Sequence, residues 1–531
     1  MASKLENVNS SVTPSTSEPT TMDLLNLTQL THTLQTAAIA ALIFAICAYV
    51  PKLKRKAQLG SIPTLGGLQG GEKQRQAYLA SAKKMYEDGY TKFKDSIYRI
   101  NGESGEDNVV VPLSLLPELR KLPDDVLSFP EAVKNSMEVK YTRLAVEGST
   151  AVHSVRSDLT PALTRLNPVI CSEVDAAIRE CMPPCDDYTE VYINQKLVDV
   201  VAKVSGRVFV GPELCQHPEY LDLAVNYTLD LMAAVNACKK LRPITKAFFA
   251  PRTPEVQQLR KREKQLSDFL HPIVEERMTA KSKDPNWQAP DDMLQWMITR
   301  SDGKDSVDQI AHFQLGLIFA AIHTTTMTVT NILYTLAVTP EYIEPMREEI
   351  RNAMADNGGI ITSRALQQME KLDSYMKEVT RFYPPGVTSF GRRVLKGIPL
   401  SNGQYIPAGV LIEVPAAAIY LDSEHYPSSS EFDGFRSYKL RSSGKAADIA
   451  RNQFVTTNET NLGFGYGRHA CPGRFFAANE IKMILARLIL EYDIGMPNGE
   501  TERYPNIEMG RQSIPHPGKT LTFKKVQVWA F

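Results

Sequence analysis

Apolar residues recur at helical spacing along most of the chain. Side chains that return to one face every three or four positions predict amphipathic helices. Strand-like runs are few and short, and Gln404 to Val414, with a Pro-Ala-Gly turn inside it, is an example. We therefore predict a mainly α protein with small β-sheets. The clearest helical patterns cover Asn194 to Val210, Glu255 to Thr279, Ser306 to Val338 and Phe475 to Glu491.

The segment Ser306 to Val338 differs from the others because its centre is apolar on every side. Leu315 to Ile322 contains no polar side chain, so this helix is expected to run through the core. Ser306 and Gln309 form a capping-box start. The polar run His323 to Thr326 then falls at mid-helix, where hydroxyls can bond back to their own helix or serve a site. The pattern alone leaves both interpretations open.

A long apolar run near the N-terminus, Leu34 to Val50, is followed at once by the basic segment Pro51 to Lys56. At ~1.5 Å per residue the run spans roughly 25 Å, close to the hydrocarbon thickness of an endoplasmic-reticulum bilayer. Positive charge after the span places the body in the cytosol and the leader in the lumen. The glycosylation sequons at Asn9 and Asn26 would then be lumenal. A cleaved secretory peptide is the alternative.

The signal-anchor interpretation predicts a single-pass protein of the endoplasmic-reticulum membrane, whose chain has four parts. They are a lumenal leader at 1–33, a transmembrane signal anchor at 34–50, a basic linker with Gly and Pro at 51–70, and one large domain at 71–531.

Composition narrows the function further. Hydrophobic residues make up 43% and charged residues 23% of the 531 residues, as expected of a chain with a large core. The formal net charge of zero provides no field for nucleic acid, so no such role is predicted. The seven cysteines are odd in number and scattered, which favours a reduced, cytosol-facing body over a disulfide framework.

The segment Phe464 to Ala477 concentrates glycines around one cysteine, just before an amphipathic helix. Glycines permit a tight loop that presents Cys471 at the start of that helix, where the dipole and free N–H groups favour a thiolate. A thiolate can ligate a metal, although a lone cysteine is more often a small buried hydrophobe.

This loop resembles the cysteine-ligand signature of the cytochrome P450 family, because Phe464, Gly467, Cys471 and Gly473 fall at its fixed positions. The resemblance implies the P450 fold and haem b (iron protoporphyrin IX) with the Cys471 thiolate as an axial iron ligand. Such a ligand pushes electron density onto the iron and favours O–O cleavage.

The same resemblance implies partners for the haem propionates. The family's arginine two residues before the cysteine is His469 here, with Arg468 beside it, and a histidine contact would be weaker and pH-dependent. Arg156 lies in a segment similar to a propionate-binding helix, and Arg393 fits the position of another propionate-binding arginine. Each of these two could instead be an ordinary surface charge, but a buried propionate needs a charge-assisted partner.

The polar run at mid-helix resembles the family's oxygen-activation segment. Thr324 aligns with the family's threonine, while His323 replaces the usual acid and Ala321 the usual glycine. We expect Thr324 to hydrogen-bond dioxygen at the haem, and His323 or water to supply the proton.

A third similarity concerns structure rather than chemistry. Glu378 and Arg381 match the family's E-x-x-R helix, in which the two side chains share one face. Arg436 follows a phenylalanine at the spacing of the usual third member. The triad is expected to brace the fold near the haem.

Together these segments imply a microsomal monooxygenase that inserts one oxygen atom from O2 into an apolar small molecule. NADPH-cytochrome P450 reductase would supply the electrons. The motifs look like those of ascomycete enzymes of secondary metabolism, so a terpenoid or steroid-like substrate is expected. Two alternatives are a haem-thiolate isomerase or dehydratase that acts without reductase, and a non-catalytic haem-binding membrane protein. Candidate pocket residues are Phe319, Ala320, Val387, Thr388, Ser389, Phe390, Ser513 and Ile514.

Overall fold

The structure is a computed structural model that describes residues 21–66, 72–103, 105–146 and 149–526. The chain divides into two compact units, with the boundary along the sequence between Ser61 and Ile62. Across the described residues helices predominate and strands are short, which confirms the prediction of a mainly α protein with small sheets.

The first unit contains one long helix, α1 (Thr21–Leu59). Its part Thr31–Leu59 is long and apolar enough to cross a membrane, and large apolar side chains such as Phe44 are exposed along it. The helix is longer than the predicted anchor at both ends, since it begins before the apolar run and continues through the basic residues after it. The sequon at Asn26 falls within the helical backbone, whereas that at Asn9 lies outside the described residues.

The second unit is built mainly of helices, and a π-helical turn, Val155–Leu159, joins two of them. The helices are α2 (Glu72–Lys92), α3 (Leu116–Leu119), α4 (Phe129–Ser136), α5 (Val139–Thr142), α6 (Ser149–Ser154), α7 (Thr160–Cys181), α8 (Ile193–Phe209), α9 (Pro218–Lys240), α10 (Pro243–Phe249), α11 (Pro254–Lys283), α12 (Met293–Ser301), α13 (Val307–Leu336), α14 (Ile343–Ala355), α15 (Ser363–Gln368), α16 (Glu370–Phe382), α17 (Ala416–Tyr420), α18 (Arg436–Arg441), α19 (Ala446–Arg451) and α20 (Arg474–Glu491).

The strands form small sheets, of which the largest has the order β1-β2-β8-β5-β3. Within it β2 and β8 are parallel and β5 and β8 antiparallel. The predicted strand Gln404 to Val414 is observed as two short strands, β7 and β8, separated by its turn. The strands are β1 (Tyr98–Asn101), β2 (Asp107–Val110), β3 (Leu127–Ser128), β4 (Thr189–Val191), β5 (Ser389–Val394), β6 (Ile398–Pro399), β7 (Tyr405–Ile406), β8 (Leu411–Val414), β9 (Tyr492–Gly495), β10 (Ile507–Met509), β11 (Gln512–Ile514) and β12 (Leu521–Lys525).

Helix α13 runs through the core of the second unit, as its apolar centre predicts. It begins with the predicted capping box, in which Ser306 and Gln309 satisfy each other's backbone N–H groups. It packs against α8, α9, α11, α16 and α20. Although α13 is also long and apolar enough to span a membrane, half of its most apolar stretch is buried inside the protein.

The predicted charged triad forms a buried brace next to this core. Glu378 and Arg381 are paired at 2.7 Å with side chains 3% and 4% exposed, and Arg436 contacts the same carboxylate at 3.2 Å. The two guanidinium groups also donate to backbone carbonyls within residues 420–431. The triad therefore ties α16 and the start of α18 to the segment 420–431 that precedes α18.

Replacing Glu378 with Gln should lower the free energy of unfolding of the full-length chain by about 3–5 kcal/mol, because two guanidinium groups lose their counter-charge in a buried place. Urea unfolding followed by circular dichroism measures this loss. Asp268→Asn is the control, since its pair with Lys264 is exposed on both sides and is worth about 1 kcal/mol or less. Equal losses in the two variants would contradict the brace.

Candidate functional site

The loop before α20 presents Cys471 in a fixed position. Gly465 and Gly467 both have φ of +74°, a backbone conformation that residues with a Cβ rarely adopt. This allows the loop to turn back so that the Cys471 N–H donates to the Phe464 carbonyl at 2.8 Å. The glycines therefore place the sulfur at the start of α20, as the sequence indicates.

In the protein without a bound metal, the surroundings of Cys471 favour the neutral thiol over the expected thiolate. Burial raises the pKa of the thiol, while the N–H groups of Gly473 and Arg474 and the charge of Arg474 act in the other direction. Burial is the largest of these influences, because a thiolate loses its hydration there. A coordinated metal deprotonates a thiol outright, so the thiolate would form with the metal rather than before it.

A cavity of about 370 Å³ lies between Cys471 and the middle of α13. One wall is the face of α13 from Leu317 to Thr328, which includes Thr324, and the opposite wall is the cysteine loop and the start of α20. The lining residues are Val155, Leu159, Phe209, Leu317, Ala320, Ala321, Thr324, Thr325, Met327, Thr328, Thr380, Pro385, Phe454, Asn461, Gly463, Phe464, Cys471, Pro472, Gly473, Phe476, Ala477 and Ile481. Most of them are apolar, and Cys471 is the ionisable side chain among them.

A second cavity of about 360 Å³ adjoins the first, because Phe464, Cys471 and Pro472 line both. Its lining also includes the basic side chain of Arg392 and the imidazole of His469. The two cavities together provide a mostly apolar space that shares the Cys471 wall, and the second of them also has basic or titratable groups in its lining.

Arg392 and Arg393 point to opposite faces of β5, whose side chains are alternately buried and partly exposed. Arg393 is not brought to the cavity, since it pairs with Glu106 at 3.1 Å. Arg392 is buried between the rings of Phe129 and Phe390. Its guanidinium donates to the Gly391 carbonyl at 2.8 Å. Among the described residues it forms no ion pair, although the Asp124 carboxylate acts on it at longer range. Burial lowers its pKa to about 10.

The other residues predicted to contact the haem propionates, His469, Arg468 and Arg156, lie in or beside the cysteine loop. The His469 ring stacks on Phe129 and its Nε2 lies 2.7 Å from Asp124. Arg468 is half exposed, and its guanidinium lies 3.9 Å from the same carboxylate. Arg156 donates to the Arg468 carbonyl at 3.1 Å. Arg156 thus stabilises the loop but does not line either cavity.

Thr324 and His323 point in different directions. Thr324 faces the cavity, and its hydroxyl donates to the Ala320 carbonyl at 2.6 Å. The Nε2 of His323 lies 2.9 Å from the Val225 carbonyl on α9, so the N–H at this atom donates to that carbonyl. Burial lowers the pKa of His323, which favours the neutral ring. The structure therefore brings Thr324, but not His323, to the cavity wall.

The predicted pocket residues are only partly brought together. Ala320 lines the first cavity, and Ser389 and Phe390 line the second. Phe319, Val387, Thr388, Ser513 and Ile514 line neither. Val387 belongs to another core cluster, and the Thr388 hydroxyl contacts the buried Glu413. Residues that sequence reasoning missed, such as Leu317 and Thr328, follow from Thr324 by helical spacing along α13.

Comparison with known proteins gives the family. The sequence pattern of the cytochrome P450 family matches residues 128–523. The chain is 38% identical to "Cytochrome P450 monooxygenase TES1" of Alternaria alternata, over 94% of this chain and 96% of that protein. It is 33% identical to "Ent-kaurene oxidase P450-4" of Gibberella fujikuroi, over 90% and 95% respectively. It is also 38% identical to "Cytochrome P450 monooxygenase ATR3" of Stachybotrys chlorohalonatus, over 79% and 89%. With the cysteine loop facing Thr324 across an apolar cavity, these matches show that the chain belongs to the cytochrome P450 family of oxidoreductases.

Proposed function

We propose that this protein is a haem-thiolate monooxygenase that inserts one oxygen atom from O2 into a terpenoid or steroid-like molecule of fungal secondary metabolism. The observation that carries the proposal is the apolar cavity that has Cys471 on one wall and the Thr324 hydroxyl on the other. An isomerase or dehydratase that rearranges a peroxide has no need of a hydroxyl at this place.

The residues around the two cavities fit haem b. Cys471 offers a sulfur ligand, and apolar side chains line most of the space. Arg392 is a buried cation that forms no ion pair within the described residues. Such a cation suits a propionate, which needs a charge-assisted partner when buried. His469 lines the same cavity and is a second candidate. The haem, when bound, supplies the dioxygen binding and electron transfer that the protein side chains lack.

The protein's own residues then control water and protons. The apolar side chains of the lining, such as Leu317 and Phe476, limit water in the cavity. Because the Thr324 hydroxyl donates to Ala320, its oxygen remains free to accept a hydrogen bond from a water molecule held in the cavity. His323 is turned toward α9, so in this proposal water brings the proton to Thr324.

The family supports a proposal for the source of electrons, and α1 supports one for the location of the protein in the cell. We propose that NADPH-cytochrome P450 reductase supplies the electrons. We also propose that α1, with exposed apolar side chains between Leu34 and Leu53, anchors the protein in the endoplasmic-reticulum membrane with the second unit in the cytosol.

The substrate class rests on two supports. The cavity lining is mostly apolar, which suits a hydrocarbon-rich ligand. Relatives at 33% identity include proteins named ent-kaurene oxidase.

Full-length protein should therefore be combined with reductase, NADPH, isotope-labelled dioxygen and ent-kaurene as the first probe, followed by steroid hydrocarbons. Labelled oxygen in a product supports the proposal. Conversion of a hydroperoxide without NADPH, together with no labelled product, would favour the isomerase instead.

Cys471→Ala should abolish the strongly red-shifted Soret band of the reduced, carbon-monoxide-treated protein, because that band reports a thiolate ligand to the haem iron. Difference spectroscopy of the purified protein is the measurement. Cys181→Ala is the control, since Cys181 is also a partly exposed free cysteine but lies on α7, away from the cavity. A wild-type spectrum in the Cys471 variant would remove it as the ligand.

Thr324→Ala should raise the fraction of NADPH electrons recovered as hydrogen peroxide by roughly tenfold, because a positioned proton-transfer group is lost. Peroxide and NADPH are measured together in reactions with reductase. Thr328→Ala serves as the control, since Thr328 lines the same cavity and also bonds back to its own helix. Identical peroxide yields in the two variants would argue against a special role for Thr324.

Arg392→Leu should weaken haem retention, whereas Arg393→Leu should not, because only Arg392 faces the cavity. The transfer of haem to apomyoglobin gives the dissociation rate, which we expect to rise roughly tenfold in the Arg392 variant, in line with about 1.5 kcal/mol for a charge-assisted hydrogen bond. Faster loss from the Arg393 variant alone would restore the assignment made from the sequence.

A further inference from the structure

A buried carboxylate joins four separate parts of the second unit. Glu413, on β8, is fully buried. Its Oε1 accepts hydrogen bonds from the Tyr86 hydroxyl on α2 and from the Asn108 amide on β2, the latter at 3.1 Å. Its Oε2 accepts from the Arg511 guanidinium at 2.9 Å and from the Thr388 hydroxyl at 3.3 Å. Each oxygen of this carboxylate is therefore shared between segments that are distant in the chain.

Arg511 connects this carboxylate to the hairpin formed by β10 and β11. It lies in the turn between the two paired strands. The hairpin has a second ion pair, in which Lys83 on α2 contacts Glu508 on β10 at 3.1 Å, but these side chains are 34% and 38% exposed. Exposed ion pairs contribute little to stability, whereas removing one partner of a buried pair is costly. The hairpin should therefore depend on Arg511 more than on Lys83.

The backbone of the same hairpin holds one wall of the first cavity. The N–H of Val387 donates to the Arg511 carbonyl at 2.8 Å, and the N–H of Ser513 donates to the Pro385 carbonyl at 3.1 Å. An antiparallel bridge joins Gly386 to β11. Pro385 itself lines the cavity. The position of this wall therefore depends on the position of the hairpin.

Glu413 holds the same wall from behind. The Thr388 hydroxyl ties the end of the segment 385–388 directly to the carboxylate. On the far side, the hydroxyl of Tyr86 bonds to Glu413 and lies 3.0 Å from that of Tyr78, so α2 supports the carboxylate through two buried rings. The strand that carries Glu413 is paired with β2 and with β5. The largest sheet thus provides a fixed point for the hairpin and for the segment 385–388.

We propose that Glu413 and Arg511 are positioning residues, which fix the segment 385–388 and thereby set how well the cavity accepts a bulky apolar ligand. The inference rests on the proposed monooxygenase function, because it concerns the ligand of the same cavity. Neither side chain belongs to the lining of the two cavities in the described part of the chain. They act through the hairpin backbone. Their loss should therefore affect a ligand that fills the cavity more than one that reaches only the haem iron.

Azole binding to the full-length haem protein, followed by difference spectroscopy, separates these two kinds of ligand. Imidazole is small and contacts little besides the iron, whereas clotrimazole carries three aryl rings on its imidazole. Arg511→Gln should raise the Kd of clotrimazole roughly tenfold and change that of imidazole by less than about twofold, because the wall is displaced but the haem is not. Lys83→Gln is the matched control, since it removes the exposed ion pair of the same hairpin, and both Kd values should stay as in the wild type.

The position of the segment can also be followed without a ligand, by hydrogen–deuterium exchange of the full-length protein. The N–H groups of Val387 and Ser513 should exchange roughly tenfold faster in Arg511→Gln, because their hydrogen bonds open more often, and at the wild-type rate in Lys83→Gln. Arg511→Lys keeps a cation beside Glu413 and should fall between the wild type and Arg511→Gln. The double variant Glu413→Gln with Arg511→Gln leaves no unpaired buried charge, so it replaces Arg511→Gln if that protein does not fold.

Equal losses of affinity for the two azoles would overturn the proposal, because they would indicate general damage to the haem site. Unchanged clotrimazole binding or unchanged amide exchange in Arg511→Gln would also overturn it, as would equal effects of Arg511→Gln and Lys83→Gln. Failure of the proposed function is distinguishable, because it would show as a missing thiolate spectrum or missing labelled product while the difference in amide exchange remained.

Discussion

The site depends on the burial of α13. Its centre is apolar on all sides, so the helix is stable only when neighbouring helices cover it. Packing against α8, α9, α11, α16 and α20 provides that cover and leaves one face, from Leu317 to Thr328, open to the cavity. The same packing places the start of α20, and with it Cys471, on the opposite wall. The distance between sulfur and hydroxyl is thus set by the core rather than by the loop alone.

Buried charges around this core fall into two classes. Most are paired or fully hydrogen-bonded, as is Arg503, which donates to Asn331, Thr335 and the Tyr504 carbonyl. These groups hold segments together and need no ligand. Arg392 differs, because its neighbours are aromatic rings and its own strand. Neither arginine forms an ion pair among the described residues, but Arg503 is hydrogen-bonded through several N–H groups, whereas Arg392 donates to one carbonyl and feels the Asp124 carboxylate only at longer range. This difference in hydrogen bonding is the reason for proposing Arg392, and not Arg503, as a partner for an anionic ligand.

Hydroxyl groups replace acids on the cavity side of α13. A family acid would stand at the position of His323, but here the ring is bonded to α9 and is held neutral by burial. The protein thus presents hydroxyls rather than carboxylates to the cavity. Cys471 is the ionisable side chain of this lining, and a lining of that kind suits a hydrocarbon-like ligand.

The sequence by itself determined the helical character, the core position of α13 with its capping box, the cysteine loop and the family, because each depends on local spacing or on residues close together in the chain. The candidates Thr324 and Cys471 come from such local motifs, and the structure places both on the cavity. Tertiary structure alone decided which side chains face the cavity. The choice between Arg392 and Arg393 depends on the pleat of β5, and the orientation of His323 depends on a carbonyl of α9. The groups that orient these side chains are distant in the chain. Their positions are set by tertiary packing, which a local sequence pattern does not predict.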